Sequence, residues 1–453
     1  LSSNLTIQNN TNKQLDSVDS NKKSKLETSA IYLNEDWYKI YTYNQEDHED
    51  YGVSIALDSN NNSHVVGYSR NSSIPCLRKA FYLKYNNSGD LEWEKTWGVD
   101  GAACYDIFID SEDSTYITGY HLEGSTSFAN TLKFNATGDL KWNSTWGGQG
   151  YSCGNGITMG KDGYIYVTGD NGTSWNNDII LLKIDNSSGN VETEWIYKSG
   201  GEFTSGNDII VDSNDNIYIV GRNVSSIILM KYNTTRELEW ATIWSNPYHL
   251  PDDYGSSVAV DSYDKIYIMG TVFGPVDEDA IILKYNSTGG EEWHKLLDFS
   301  NEDVGDDIKI INDKIFALAC ENYQDSGKEK IVLGEYYTNG TQIWEKEIGG
   351  DDHDAAYSLV IKSPYEIIIT GNTYSYATGY EPDAFTAKYS LINTSNGGDS
   401  SGGGGSSGGG GGSGGDKSKD SIPMGNFHLL FSIIALIGIV IITKKKICFR
   451  NNV

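Results

Sequence analysis

The chain has 453 residues and a formal net charge of −28 at neutral pH, which excludes nucleic acid and an anionic membrane surface as direct partners. Its 31 tyrosines, 11 tryptophans and 50 glycines, with a surplus of Asn, Ser and Thr, suit strands and tight turns.

Residues 1–30 form a polar tail too poor in apolar residues to build a core. The chain starts at Leu1 without methionine, as expected after removal of a signal peptide. DWYKIYTYN (36–44) follows, and it looks like EWEKTWG (92–98), KWNSTWGG (141–148) and IWEKEIGG (343–350). Each of those closes a longer unit; the first copy closes nothing.

Trp37, Trp93, Trp142, Trp195, Trp240, Trp293 and Trp344 recur at intervals of 56, 49, 53, 45, 53 and 51 residues. Each tryptophan is followed by a loop and an apolar run such as SIALDS (54–59) or DIIVDS (208–213). After a turn comes a second run, such as YIYVTG (164–169) or IYIVG (217–221), then a third such as AFYLKYN (80–86). These read as four short strands per unit, A to D. Strands A to C are almost continuously apolar, so both faces of each sheet are buried. Repetition of such a sheet predicts an all-β fold: a seven-bladed β-propeller of four-stranded antiparallel blades. The last unit has SLVIK (358–362), EIIITG (366–371) and DAFTAKYS (383–390) but no tryptophan strand. The N-terminal DWYKIYTYN is therefore expected to complete it, pairing two edges that would otherwise stay open.

DSNDNIYIVG (212–221), KDGYIYVTG (161–169) and DAIILKYNSTGGEEW (279–293) carry a combined pattern that resembles the SBBP-type seven-bladed propeller repeat of bacterial and archaeal surface proteins. The resemblance covers about residues 36–392 and implies the fold and a surface location, without a catalytic residue set. The sixth unit departs from the pattern, with Ala319 and Cys320 where other units have Gly and a polar residue.

Strand alternation puts the D–A and B–C loops on one face and the A–B and C–D turns on the other. N-x-S/T sequons at Asn86, Asn135, Asn186, Asn233, Asn286, Asn339 and Asn393 are assigned to C–D turns and expected to carry glycans. The D–A loops divide around the ring. PDDYG (251–255), NEDVGDD (301–307), GGDDHDAA (349–356) and QEDHEDYG (45–52) make an acidic arc, while GVDGAACYD (98–106), GGQGYSCGNG (147–156) and GGEFTSGND (200–208) are glycine-rich. Tyr105, Tyr151, Phe203 and the B–C-loop Trp175 are candidate ligand-binding residues on the glycine-rich side. Asp47, His48, Asp50, Asp352, His353 and Asp354 are candidate metal ligands, for calcium through carboxylate oxygens or for zinc through the histidines. No other cofactor is indicated.

Two apparent motifs carry nothing. DSNNN (58–62) lacks the glycine and final glutamate of a calcium loop, and GYSCG (150–154) precedes a strand where a nucleophile elbow needs a helix. Cys104 and Cys153 stand at equivalent points of neighbouring units, so a disulfide of Cys104 with Cys76 or with Cys153 is expected outside the cell.

The propeller is assigned to 31–395, followed by a Gly/Ser-rich tether at 396–423. FHLLFSIIALIGIVIIT (427–443) and the residues just before it make a transmembrane helix at 424–443, and the lysines of a short basic tail, 444–453, put that end in the cytoplasm. The expected protein is a single-pass surface propeller whose membrane-distal loops bind an extracellular glycan or protein, and not an enzyme. The alternatives are a structural envelope component and a metal-assisted hydrolase or lyase working through the histidine–carboxylate arc.

Overall fold

In a computed structural model, strand pairing begins at Ala30 and ends at Thr394. The structure describes residues 30–394 except 44–47, 72–73, 99–100, 149, 174–175, 199, 201–202, 247–251, 275–276, 300–301, 324–327 and 378. The N-terminal tail, the tether and the expected membrane span at 424–443 lie outside the described residues. Among those described, no helix is long and apolar enough to cross a membrane.

Strands β2 (His48–Leu57), β3 (Ser63–Asn71), β4 (Ile74–Tyr85) and β5 (Leu91–Trp97) form an antiparallel meander with each strand beside the next. The pattern repeats in β6–β9 (Ala102–Gly147), β10–β13 (Tyr151–Tyr197), β14–β17 (Thr204–Trp244), β18–β21 (Tyr254–Leu297) and β22–β25 (Glu302–Ile348). One parallel bridge, Glu278 to Glu302, joins the last two of these into an eight-stranded sheet. The remaining sheet has the order β1-β28-β27-β26, where β1 is Ala30–Tyr41, β26 Asp354–Ser363, β27 Glu366–Thr373 and β28 Asp383–Thr394. The first strands of successive sheets stand side by side, and β26 touches both β22 and β2, so the array closes. This is a β-propeller, and each sheet is named below by its innermost strand.

The N-terminal strand fills the place left by the missing fourth strand. Trp37 pairs with Lys388 in β28, as Trp93 pairs with Lys84, Trp142 with Lys133, Trp240 with Lys231 and Trp293 with Lys284. Ion pairing reinforces this seam. Lys388 Nζ lies 3.6 Å from Asp36, and Ser390 Oγ donates to the same carboxylate at 2.6 Å.

Two expectations about register are corrected. Trp195 does not match the other tryptophans: it pairs with Leu181, and Thr193 takes the place opposite Lys183. The turn after β12 is one residue longer, closing from Gly189 N to Asp185 O, whereas Gly89 N closes to Asn86 O. Asn393 is not in a turn but in β28, opposite Ile31, because the donated strand pairs further than its homologues do.

Strands two and three of each meander are buried on both sides; Ile227–Tyr232 is buried throughout. Fourth strands are less buried, as in Leu238–Trp244, which alternates between exposed and half-buried after its first residue. Hydrophobic clusters straddle neighbouring sheets. One joins Val66 and Tyr82 of the β2 blade to Ile117 and Phe134 of the β6 blade. Another joins Ile55 and Phe81 to Tyr41, Ile368 and Ala384 across the seam. Burying both faces of each sheet between its neighbours is the main driving force for the ring.

The glycine of the repeated TG and VG dipeptides has a steric cause. A Cβ on Gly67, Gly119, Gly169, Gly221 or Gly371 would lie 1.9 Å from a carbonyl oxygen of the adjoining innermost strand. That close approach comes with a β-bulge in each first strand, as between Gly52 and Ser54 or Gly206 and Asp208.

The A–B turns are Asx turns. Asp58 Oδ1 accepts from Asn60 N and Asn62 N, and Asp212 Oδ1 from Asn214 N and Asn216 N. These carboxylates are engaged with their own backbone, so the likeness to a calcium loop is local turn chemistry.

Candidate functional site

The bulges aim side chains at the propeller axis and at one of its mouths. The residue just past each bulge faces the axis: Ser54, Asp106, Gly156, Asp208, Ser257, Asp307 and Ser358. Alternate blades supply the aspartates, and each accepts a main-chain N–H from the following blade. Asp106 accepts from Ile157 N at 2.9 Å, Asp208 from Val258 N at 2.9 Å and Asp307 from Leu359 N at 2.9 Å. Ser54 Oγ donates to Asp106 and Ser358 Oγ to Asp307, while Ser257 Oγ lies 2.9 Å from Asp208 and 2.7 Å from Asp307 with one proton to share between them. Lys309 Nζ sits 2.7 Å from Asp307 Oδ1. Burial acts to lower its pKa, but Asp307, Asp208 and Asp106 outweigh that and raise it.

Above this belt the D–A and B–C loops meet on one face, as expected. Leu122 N donates to Gly101 O, Val224 N to Phe203 O and Tyr374 N to His353 O. Inside their mouth, Tyr51, Tyr68, Tyr105, Tyr120 and Tyr151 pack together with Val53 and Cys153. Tyr51 stacks on Tyr68 at 5.1 Å, and Tyr105 lies 5.9 Å from Tyr120. Arg78 covers the Tyr68 ring at 4.7 Å and donates to Tyr105 Oη; Arg70 covers Tyr51 and pairs with Glu49.

Tyr357 adjoins Tyr51 and carries the aromatic wall toward Cys320 and the carboxylates. There burial, followed by Asp306, Glu302 and Asp354, raises the Glu329 pKa to about 7. Burial, with Glu302 and Asp252, likewise raises Glu278 to about 7. The Cys320 thiol, buried beside Asp306 and Glu329, is held well above its usual range and is not a nucleophile.

The aromatic cluster takes Tyr105, Tyr120 and Tyr151 from blades with glycine-rich D–A loops but Tyr51, Tyr68 and Tyr357 from blades of the expected acidic arc. Tyr105 and Tyr151 belong to the aromatic wall. Phe203 is half-buried under Arg222 at 5.3 Å, and Trp175 lies outside the described residues. Tyr68, Tyr120, Tyr357, Asp306 and Glu329 were missed. A signal for the first two existed: the residue after the repeated glycine reads Tyr68, Tyr120, Asp170, Arg222, Thr271, Cys320 and Asn372 around the ring.

The six candidate metal ligands do not come together among the described residues. Asp47 lies outside them. His48 packs on Tyr43 and His353 on Tyr374. Asp352 accepts from His353 N. Asp354 accepts from Gly350 N, Thr373 Oγ1 and Ser375 Oγ, which fills both its oxygens. Asp354 thus clamps a loop, as Asp253 does through Asn246 N and Phe273 N. The acidic group whose ligand atoms do lie within 4.8 Å of one another is a different one, Asp279, Asp298 and Asp303.

Cys104 and Cys153 are buried thiols and are not joined to each other. Cys153 Sγ instead lies 3.3 Å from Asn155 Oδ1, and the side chain of Cys76 lies outside those described. Of the sequon asparagines, Asn86, Asn135, Asn233 and Asn286 cap their turns through Oδ1. Asn339 Oδ1 accepts from Thr341 N. Asn186 is engaged between blades by Tyr116 Oη and Lys133 Nζ.

No family model matches this chain, and no curated protein matches it. Among solved structures it is similar to a streptogramin B lyase, with 14% identity over 80% of this chain and 98% of that one and a TM-score of 0.50. An ulvan lyase of polysaccharide lyase family PL25, bound to -[GlcA(1-4)Rha3S]-, aligns at 11% identity over 76% and 96% of the chains, with a TM-score of 0.53. A protein of unknown function from Dyadobacter fermentans aligns at 9% identity over 80% and 99%, with a TM-score of 0.50. At such identity the likeness shows the fold alone. It nevertheless corrects the expectation that the chain is not an enzyme: two of these three propellers are lyases, so a propeller without a recognisable catalytic motif is no ground for excluding catalysis.

Proposed function

We propose that this chain is a seven-bladed, SBBP-type propeller held at the cell surface by the segment 424–443, with glycans on its exposed turns, and that the mouth described above binds an extracellular glycan. The reading rests on one observation: Tyr51, Tyr68, Tyr105, Tyr120, Tyr151 and Tyr357 pack together at one end of the propeller, beside Asp306 and Glu329. Flat aromatic surfaces beside hydrogen-bonding carboxylates suit the apolar faces and hydroxyls of sugars. Arg70 is paired with Glu49, and the remaining guanidinium, Arg78, is outnumbered by Asp306, Glu302 and Asp354 around Glu329, a balance that favours neutral or amino-bearing sugars over acidic ones. Glu329, titrating near neutrality, also gives the mouth a group able to move a proton, so each ligand is followed for product as well as for binding.

Glycan-array screening followed by calorimetry tests this. Tyr51→Ala and Glu329→Gln are expected to weaken binding roughly tenfold or more. Tyr263→Ala, at an exposed turn of the opposite face, is expected to leave it unchanged. Equal affinity in all three variants would remove the mouth as the binding site.

A further inference from the structure

At five junctions of the ring a C–D turn lies under the fourth-strand tryptophan of the preceding blade, as Gly138 lies under Trp93 and Gly340 under Trp293. The junction after β25 (Gln342–Ile348) is not built that way. The sheet it meets has β28 and β1 as its third and fourth strands, and no turn joins them. Instead the two strands run on as a ribbon, residues 30–34 against 390–394. β1 is the outer edge of that sheet and has 12 residues where β25 has 7.

Between β1 and the end of β25 lies a cleft of about 290 Å³. Leu33, Glu35 and Tyr38 line it from β1, Glu347 and Ile348 from β25, and Tyr376 from the loop before β28. Leu33, Tyr38 and Ile348 are only partly buried, and Tyr376, which packs on Tyr38 at 4.9 Å, is 49% exposed. The cleft thus joins uncovered apolar side chains to carboxylates. Beyond Glu35, the charges of Asp354 and Asp351 also reach Tyr376, whereas Lys346 is the only cation among the described lining residues.

The described chain runs out beside this cleft at Ala30 and Thr394, which are a cross-strand pair. Residues 395–415 carry no apolar side chain and have nothing to fill it with. The N-terminal side has Leu26 four residues before Ala30, and Lys22, Lys23 and Lys25 in a chain of net charge −28. Its reach matches as well. Ala30 to Glu35 is about 17 Å of strand, and a chain reversing just before Ala30 returns to that level near Lys22 and Lys23. We propose that residues 22–29 fold back along the outer edge of β1, with Leu26 in the cleft and the lysines beside Glu35 and Glu347. The tail then clasps the strand that closes the ring, whatever the mouth binds. Leu26 gains burial against Leu33 and Ile348, the lysines offset the local carboxylate excess, and the returning segment pairs with main-chain groups of an edge strand.

Limited trypsinolysis of the full-length chain, with products identified by mass, tests this. The tail offers trypsin Lys13 outside the docked segment and Lys22 and Lys23 within it. Tyr376→Ala leaves the cleaved sequence unchanged and is expected to speed cleavage after Lys22 and Lys23 roughly tenfold, with the rate after Lys13 unaltered. Leu26→Ser is expected to do the same from the other side of the contact, and Leu5→Ser to change nothing. In 1 M NaCl the protection of Lys22 and Lys23 relative to Lys13 is expected to weaken, because attraction between lysine and carboxylate is screened. Cleavage after Lys22 and Lys23 as fast in the wild-type chain as in both variants overturns the proposal. So does protection that survives both Tyr376→Ala and Leu26→Ser, which would place the segment elsewhere. Protection that grows with protein concentration also overturns it, since the occupant would then be the tail of a second copy.

Discussion

Trp37 lies flat against Gly89: a Cβ on that glycine, whose φ is +82°, would stand 2.7 Å from Trp37 Cδ2. The same contact joins Trp93 to Gly138, Trp142 to Gly189, Trp240 to Gly289 and Trp293 to Gly340. In each case a fourth-strand tryptophan covers the C–D turn of the next blade. The Trp37 contact is the one made by the donated strand, so the ring is closed by the same contact that joins its consecutive blades. Glycine suits these turns twice over, for its positive φ and because a side chain would strike the indole.

Trp37→Ala is therefore expected to destabilise the propeller by about 2–3 kcal/mol, less than for a fully buried tryptophan because the ring is half-exposed. Removing residues 1–45 is expected to do more, since it opens the β28 edge and exposes Ile368 and Ala384. The check is cooperativity in urea: the truncated chain is expected to lose its single transition, whereas an unaltered, single melt would contradict closure through β1.

Asp307 is the most heavily engaged carboxylate of the axial belt, bonded to Ser257, Ser358, Leu359 N, Ile308 N and Lys309. Asp307→Ala leaves these donors without an acceptor, at a cost of about 2–3 kcal/mol, most of it from the buried hydroxyls and N–H groups because the Lys309 side chain is more than a third exposed. Combining it with Lys309→Met is expected to recover part of the loss. The double-mutant cycle in denaturant measures how much of the cost is unpaired charge.

Stability is expected to fall as pH rises from about 4 to 7 through four carboxyls: Asp279, which burial and Asp277 raise to about 6, and three that are raised further. Burial raises Asp50, Glu278 and Glu329 from ordinary carboxyl values to about 7. Between the unfolded and folded pKa values the folded chain holds more protons than the unfolded one, so raising pH favours unfolding. His64, whose pKa burial lowers, acts in the opposite direction below about pH 6.5. The depressed carboxyls Asp162 and Glu366 are ionised in both states above pH 5 and drop out of this window. Urea midpoints in EDTA are expected to be higher at pH 5.5 than at pH 8, and Glu329→Gln to flatten the difference. A midpoint that rises with pH would refute the assignment.

Local chemistry made much of this molecule readable in one dimension. The apolar runs SIALDS and IYIVG, the Asx turns at Asp58 and Asp212, and the orphan DWYKIYTYN specified strands, turns and the closing partner, because period, turn residues and repeat spacing depend on neighbours in sequence. The turn at Asp185–Asn190 shows the limit: it is one residue longer than its counterparts, and Trp195 sits two residues past the place opposite Lys183, which the spacing of the tryptophans did not reveal.

The mouth was legible only in outline. Asp354 in DDHD and Asp50 in EDHED look alike as loop carboxylates, yet one holds the loop before its own blade and the other takes the Tyr43 N–H that follows the donated strand, at the seam. Tyr68, Tyr357 and Glu329 stand far apart along the chain and meet because the closed ring sets the β22, β26 and β2 blades side by side. Sequence determined what each blade is. The closed ring decided which side chains face one another, since burial and charge at the axis are properties of all the blades together and of no single segment.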